Sequence, residues 1–172
     1  MRKIVLLSAT VLLFSGCIKT NTGNNSCPYQ DDNIIVPAGE IQALEAYLSG
    51  QGITNTTKHS GSFYYKVQTQ GIGNSAGLCN QIVIKYKGSL TNGNVFDQTP
   101  NTPGSDTRVF ILGELIPGWK KGIPLIQQGG KITLYLPPSL GYGASDIKDN
   151  SGNVVIPGNS ILIFEVELVA IG

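Results

Sequence analysis

Residues 81–99 read QIVIKYKGSLTNGNVFDQT. Ile82, Ile84 and Tyr86 alternate with Val83, Lys85 and Lys87, the period-two pattern of a strand with one face toward a core and the other toward water. Asn92-Gly93 follows, the dipeptide that most strongly signals a tight hairpin because both residues tolerate positive φ. Val95-Phe96-Asp97 then opens a return strand. A long strand that doubles back through such a turn commits this part of the chain to antiparallel pairing.

The flanking segments repeat the signal. FYYKVQTQG (63–71) is a strand candidate, and TRVFIL (107–112) places Phe110 and Leu112 on one side. KITLYLP (131–137) does the same for Ile132, Leu134 and Leu136, and ILIFEVELVAIG (161–172) for Leu162, Phe164, Val166 and Leu168, with Glu165 and Glu167 turned to water. Only IPGWKKGIPLIQ (116–127) offers a helix in this region, and Pro124 limits it to about two turns. Many antiparallel strands with one short helix predict an α+β domain in which the helix covers one face of a curved sheet.

The chain has 172 residues and a mass of 18.2 kDa, enough for one domain with a real core plus appendages. Charged residues make up 13%, about half the usual share, and there are 22 glycines, a composition that favours strands and turns over charged helices. A formal net charge of +1 gives no electrostatic attraction to nucleic acid.

The N-terminus, MRKIVLLSATVLLFSGC, reads as a targeting segment over residues 1–16. Arg2 and Lys3 precede the apolar run Ile4–Phe14, too short to span a bilayer and suited to a signal sequence. Ser15 and Gly16 then stand before Cys17, which resembles a bacterial lipoprotein signal whose cysteine is acylated, although Phe14 stands where that pattern prefers leucine. An ordinary secretory signal with a chance cysteine is the alternative. Removing residues 1–16 takes two positive charges with it, so the net charge falls from +1 to −1. With Ile18 after the cysteine, the expectation is an exported lipoprotein of the outer membrane facing the periplasm.

IKTNTGNNS (18–26) is polar, and residues 17–37 read as a flexible tether. PAGEIQALEAYLSGQGI (37–53) sets Ile41, Leu44, Tyr47 and Leu48 at helical spacing, with Gly50 and Gly52 as stops, which predicts a helix over 38–49. Its apolar stripe is expected to pack on the main domain of a monomer, with a dimer contact as the alternative. This helix and the loop TNTTKHSGS form an extension, residues 38–62, ahead of the domain at 63–172. Acylation of Cys17 would leave Cys27 and Cys79 as an even pair in an oxidising compartment, so a disulfide between them is expected; two unpaired thiols are the alternative.

Ten of the thirteen aromatic residues lie at or after Phe63. Tyr86, Phe96, Phe110 and Phe164 collect on the apolar sheet face, the short helix brings Trp119, and LGYGAS (140–145) brings Tyr142. Pattern alone leaves open whether these rings fill a core or line a cavity.

The ordered set KYKGSLTNGNVFDQT, FILGELIPGWKKGI, GGKITLYLPPSLGYG and VIPGNSILIFEVEL resembles the FKBP-type peptidyl-prolyl cis-trans isomerases over residues 78–172, with the strand at 63–70 included. The resemblance implies a five- to six-stranded antiparallel sheet wrapped around one short helix. It implies that Trp119 is exposed as the floor of a prolyl-binding pocket walled by Tyr86, Phe96, Ile116, Tyr142, Ile156 and Phe164. Asp97 and the Ile116 N–H would be its polar elements, and Leu115, Phe110 and Arg108 its edge. A flat indole can stack on a saturated pyrrolidine with little entropy to lose. The implied partners are proline-containing unfolded or exported polypeptides, with macrolides as inhibitors; no cofactor or metal is implied. Asp97 and the Tyr142 hydroxyl would orient the twisted bond, or Asp97 would only brace the pocket.

Three positions depart from the family pattern. Arg108 replaces a frequent edge aromatic, Gly158 stands where a second proline is common, and the long loop ASDIKDNSGNVV (144–155) is expected to overhang the cleft. Competing chemistries lack their residues. His59, the only histidine, lies in a polar loop and reads as a surface residue, which argues against a histidine triad or a multi-histidine metal site. GIGNSAG has the wrong glycine spacing for a dinucleotide, and DIKDNSGN lacks the terminal Glu of a calcium loop. The remaining rival is a holdase or peptide-binding scaffold that keeps the pocket without useful turnover.

Overall fold

The computed structural model describes residues 27–102, 104 and 106–172. The signal-like segment and Cys17 lie outside the described residues. The elements are α1 (Ala38–Gly50), β1 (Thr57–Lys58), β2 (Tyr64–Thr69), β3 (Gln81–Leu90), β4 (Val95–Gln98), β5 (Arg108–Ile111), α2 (Pro117–Gly122), β6 (Lys131–Leu136), β7 (Ile147–Lys148), β8 (Val154–Ile156) and β9 (Leu162–Ile171). Short 3-10 turns at Leu112–Glu114, Ile123–Leu125 and Pro138–Leu140 link them.

The main sheet runs β1-β2-β6-β9-β3-β4, every pairing antiparallel. β4 and β5 share the outer side of β3: β4 pairs with residues 87–89 and β5 with residues 81–84. The sheet thus has seven strands but is six wide, counting the two-residue β1, against the five or six that the family resemblance implies. The hairpin signal also holds, with a different turn. Leu90 and Asn94 close a three-residue loop, in which Gly93 alone has positive φ (86°) and the Asn92 side chain accepts the Asn94 N–H. This is the type I turn with a left-handed glycine that three-residue hairpins use.

One sheet face carries the core. Ile82, Ile84, Ile132, Leu134, Leu136, Leu162, Phe164, Val166 and Leu168 are buried there with Trp119 and Ile123. α2 can lie against this face because Gly118 and Gly122, one turn apart, present no Cβ. A Cβ on Gly118 would stand 2.4 Å from Leu136 Cδ1, and one on Gly122 would stand 2.6 Å from Leu134 Cδ2. Pro117 fixes the first helical residue, where its missing N–H costs nothing. The opposite face bears cross-strand pairs, Lys87–Glu165 at 2.5 Å and Lys131–Glu167 at 3.2 Å, of the exposed kind that adds little stability.

α1 spends its stripe on this outer face. Leu44 and Leu48 are buried against Tyr135, with Tyr47, Ile53, Tyr64, Ile161 and Ile163 around them. Each buried leucine contributes roughly 1.5–3 kcal/mol. Gly52, with φ +65°, stops the helix, and the Ile53 N–H closes back on the Leu48 carbonyl at 2.9 Å.

Three sequence expectations are corrected. The tether does not extend through residue 37: Val36 is buried in the core cluster, Tyr29 bonds Glu114, and Asp31 and Asp32 pair with Lys121 and Lys120. Apart from Val36 these contacts are polar or single aromatic ones, which a search for apolar periodicity passes over. His59 is half-buried rather than a free surface residue. It stacks on Phe63 at 4.4 Å and accepts the Gly61 N–H at Nδ1, and burial lowers its pKa, as does the nearby Lys121. The loop after Tyr142 folds into the β7–β8 hairpin, whose turn is closed by Asp149 accepting the Ser151 and Asn153 N–H groups.

Cys27 and Cys79 form a disulfide, their Cα atoms 5.6 Å apart and 52 residues apart in sequence. Chain entropy for a loop of this length gives about 4 kcal/mol as an upper figure. Replacing both cysteines by serine is therefore expected to lower the denaturant midpoint of unfolding. An unchanged midpoint would mean that packing alone holds the extension.

Candidate active site: an aromatic cleft

A cleft of about 160 Å³ opens where α2 meets β3, β4, β5 and β9. It is lined by Tyr86, Phe96, Asp97, Phe110, Leu115, Ile116, Trp119, Tyr142 and Phe164. Strand alternation supplies Tyr86 and Phe164 from the core face, β4 brings Phe96 and Asp97, and β5 brings Phe110. The 3-10 turn at 112–114 leads into Leu115 and Ile116, and Ile116 caps α2 by accepting the Trp119 and Lys120 N–H groups. Tyr142 stands at the rim, 40% exposed, on the glycine-flanked loop after the turn at 138–140. A larger depression of about 340 Å³ lies on the outer sheet face, but its Lys87, Lys131, Glu165 and Glu167 are already paired with one another and Tyr86 is the one aromatic residue in its lining.

Trp119 organises the cleft. The rings of Tyr86, Phe110 and Phe164 stand nearly perpendicular to its indole, with centroids at 5.2, 6.4 and 5.0 Å. Edge-to-face contacts of this kind add about 0.5–1.5 kcal/mol each beyond area burial and make a rigid box. Phe96 meets Phe164 in the same way at 5.5 Å. Trp119 is consequently only 4% exposed, not open as the sequence reading expects, although it lines the cleft. Its indole N–H is buried with no hydrogen-bond partner among the described residues.

The polar elements are few. The Tyr86 hydroxyl donates to Asp97 Oδ2 at 2.5 Å. Burial, then the Asp97 bond and charge, hold the Tyr86 phenol far above its usual pKa. Burial and the Asp97 charge also raise Tyr142. Both phenols therefore stay protonated donors at neutral pH. The Ile116 N–H has no partner among the described residues and is free to donate.

Two residues expected at the cleft are not among its lining. Ile156 is 3% exposed in β8, where the β7–β8 hairpin turns it into the core. Arg108 shares a sheet face with Phe110, and its guanidinium donates to the Thr107 carbonyl at 3.1 Å while its charge still acts on the Tyr86 phenol. No residue of the 144–156 segment is among the lining of the cleft. Gly158 admits no proline: its N–H donates to Asp146, and a Cβ would lie 2.1 Å from the Ala144 carbonyl oxygen. One determinant escaped the sequence reading. Gly88 interrupts the inward face of β3 beside the rings of Phe96 and Phe164, and a glycine inside a strand signals such a close approach.

Fold and cleft define an α+β domain whose site is a preformed aromatic pocket with no nucleophile–base pair among its lining residues. Residues 73–169 match the FKBP-type peptidyl-prolyl cis-trans isomerase family. The chain belongs to that family. FkpA from Buchnera aphidicola subsp. Schizaphis graminum is 40% identical over 129 residues, covering 74% of this chain and 47% of the relative. FkpA from Escherichia coli K12 is 38% identical over 125 residues, covering 73% and 42% respectively. The crystal structure of FkpA from Escherichia coli superposes with a TM-score of 0.63 at 32% identity, covering 78% of this chain and 60% of that one. The crystal structure of AtFKBP13 gives 0.61 at 31% identity, covering 69% and 100%. The chain spans less than half the length of these two curated relatives.

The rigidity of the box is testable at Gly88. An added Cβ would lie 2.6 Å from Phe96 Cε2 and Cζ and 2.8 Å from Phe164 Cε1. Gly88→Ala is expected to cost about 1–3 kcal/mol of stability by overpacking and to shift the emission of Trp119, the single tryptophan. Unchanged emission and stability would show that the rings have room to yield.

Proposed function

We propose that this chain accelerates cis–trans interconversion of X–Pro bonds in exported polypeptides, by non-covalent catalysis in the aromatic cleft. The observation that carries this reading is the convergence of Trp119, Tyr86, Phe96, Phe110 and Phe164 on one small cleft beside a free backbone donor, the Ile116 N–H. None of the nine lining residues is a Ser, Thr, Cys or His, so the lining favours chemistry that makes no bond to the protein.

Such a site suits a rotation. The X–Pro bond turns over a barrier of roughly 18–20 kcal/mol because amide resonance must be broken. In the twisted state resonance is lost and the carbonyl is less polar than in the planar amide. An apolar, water-poor cleft therefore disfavours the planar form relative to the twisted one, which is differential binding of the transition state. In this reading the prolyl ring rests on Trp119 between Tyr86, Phe96 and Phe164, and the Ile116 N–H holds a substrate carbonyl in register. Asp97, fixed by the Tyr86 hydroxyl, keeps its second oxygen for the twisting amide, and the Tyr142 phenol donates from the rim. Leu115 and Phe110 bound the ring site. A macrolide would bind by filling the same cleft.

A protease-coupled assay on X–Pro peptides tests the activity. The mature protein is expected to accelerate isomerisation, and Phe96→Ala and Tyr142→Phe are expected to lower kcat/KM by about tenfold or more, the size of effect that positioning groups carry. Trp119→Ala is a poorer probe because it also empties the box. No acceleration across several residues before proline would refute the isomerase reading, and retained suppression of aggregation would then mark a holdase.

The same proposal covers location. The signal-like residues 1–16 and the Cys27–Cys79 disulfide support export to an oxidising compartment. Within that reading Cys17 is acylated and anchors the protein to the outer membrane, facing the periplasm. The protein acts as a monomer, because the α1 stripe is already spent on its own sheet. Mass spectrometry of membrane-extracted protein is expected to find a lipid-modified N-terminus at Cys17. A soluble mature form starting elsewhere would refute the anchor.

A further inference from the structure

The segment ahead of the sheet grips both sides of the cleft without lining it. On one side the Tyr29 ring lies on Gly113 so closely that a Cβ there would stand 2.2 Å from Tyr29 Cγ. The Tyr29 hydroxyl donates to Glu114 Oε1 at 2.7 Å. Gly113 and Glu114 immediately precede Leu115 and Ile116. Lys121 and Lys120, on the helix that carries Trp119, pair with Asp31 and Asp32, and each lysine side chain is only 11% exposed. The disulfide holds the start of this segment at the same place: the carbonyls of Leu78 and Asn80, which flank Cys79, accept the N–H groups of Gly113 and Leu112.

On the other side Glu40, in the first turn of α1, reaches the turn at 138–140. It accepts the Ser139 N–H at 2.8 Å and the Ser139 hydroxyl at 2.6 Å. Tyr142 follows three residues later, on a loop tied to the same turn by Gly141 and Gly143 N–H bonds to the Pro138 carbonyl.

Both flanks of the cleft are short and irregular. One is a 3-10 turn running into a six-residue helix, and the other is a 3-10 turn running into a glycine-flanked loop. Segments with so few regular hydrogen bonds open locally at low cost. A site that works by positioning alone loses rate when its groups move by an ångström. We propose that residues 27–40 are a working part of the site, in which Tyr29 positions the Leu115–Ile116 flank and Glu40 positions the Tyr142 loop. This rests on the isomerase reading for its effect on rate; the effect on the flanks stands without it.

The test compares Tyr29→Ala and Glu40→Ala with the conservative Tyr29→Phe and Glu40→Gln in the full mature chain, well below the melting transition of every variant. Hydrogen exchange of single amides is read by NMR beside kcat/KM on an X–Pro peptide. Tyr29→Ala is expected to speed exchange at Leu115 and Trp119 by about tenfold or more while β9 amides keep their protection, and to lower kcat/KM by about five- to tenfold. Glu40→Ala is expected to do the same at Leu140, Gly141 and Gly143. Tyr29→Phe keeps the ring on Gly113 and Glu40→Gln keeps an acceptor for the Ser139 N–H, so both are expected to restore most of the protection and rate. Exchange that rises evenly over the sheet, or flanks and rates unchanged in the alanine variants, would overturn the proposal. If the wild type proves inactive the isomerase reading fails, and the local exchange pattern still decides whether the extension braces the cleft.

Discussion

The approach of α2 to β6 sets the geometry of everything around it. Gly118 and Gly122 face the side chains of Leu136 and Leu134 at distances that exclude any Cβ, so the helix backbone rests directly on those leucines of the sheet. A larger residue at either position would lift the helix and carry Trp119 and Ile116 with it. Seated at this depth, the indole meets Tyr86, Phe110 and Phe164 nearly at right angles, and Ile116, at the N-terminus of the helix, lines the cleft with it. A packing constraint between two glycines and two leucines thus sets where Trp119 and Ile116 stand in the cleft.

The electrostatics of the cleft follow from the same enclosure. Burial raises the pKa of the Tyr86 and Tyr142 phenols further above neutrality, and Tyr86 donates its proton to Asp97. The cleft lining is apolar and aromatic apart from the carboxylate of Asp97 and the phenols of Tyr86 and Tyr142. A site of this kind has little to offer a reaction that moves protons or electrons. It has much to offer one whose transition state differs from its ground state in shape and polarity.

The extension gives the fold a second covering. α1 buries Leu44 and Leu48 on the face of the sheet opposite the core, so Tyr135 of β6 is enclosed on the outer side while Leu134 and Leu136 are enclosed on the inner. The irregular segment ahead of α1 reaches the turn that feeds α2, and α2 itself, through Tyr29, Asp31 and Asp32. The two contacts differ in character, one apolar and continuous, the other made of a ring on a glycine and two ion pairs.

That difference explains what was legible in the sequence. Alternation in β3, β6 and β9 and the spacing of Ile41, Leu44 and Leu48 were readable because burying one face of a regular element imposes a period on the chain. Local rules also marked the hairpin at Asn92-Gly93 and the short helix at Pro117, and an ordered set of motifs in four segments pointed to the family and to most of the cleft. The packing of Tyr29 on Gly113, the ion pairs of Asp31 and Asp32, and the grip of Glu40 on Ser139 join residues 84 to 99 positions apart in the chain and leave no period. The same holds for Ile156 turning into the core, Arg108 folding back on its own backbone, and the enclosure of Trp119. By itself the sequence determined which elements form and which residues share a face, because those depend on neighbours along the chain. Only the tertiary structure decided how deep the indole lies and what holds the flanks of the cleft, because those depend on which distant surfaces come within a van der Waals contact.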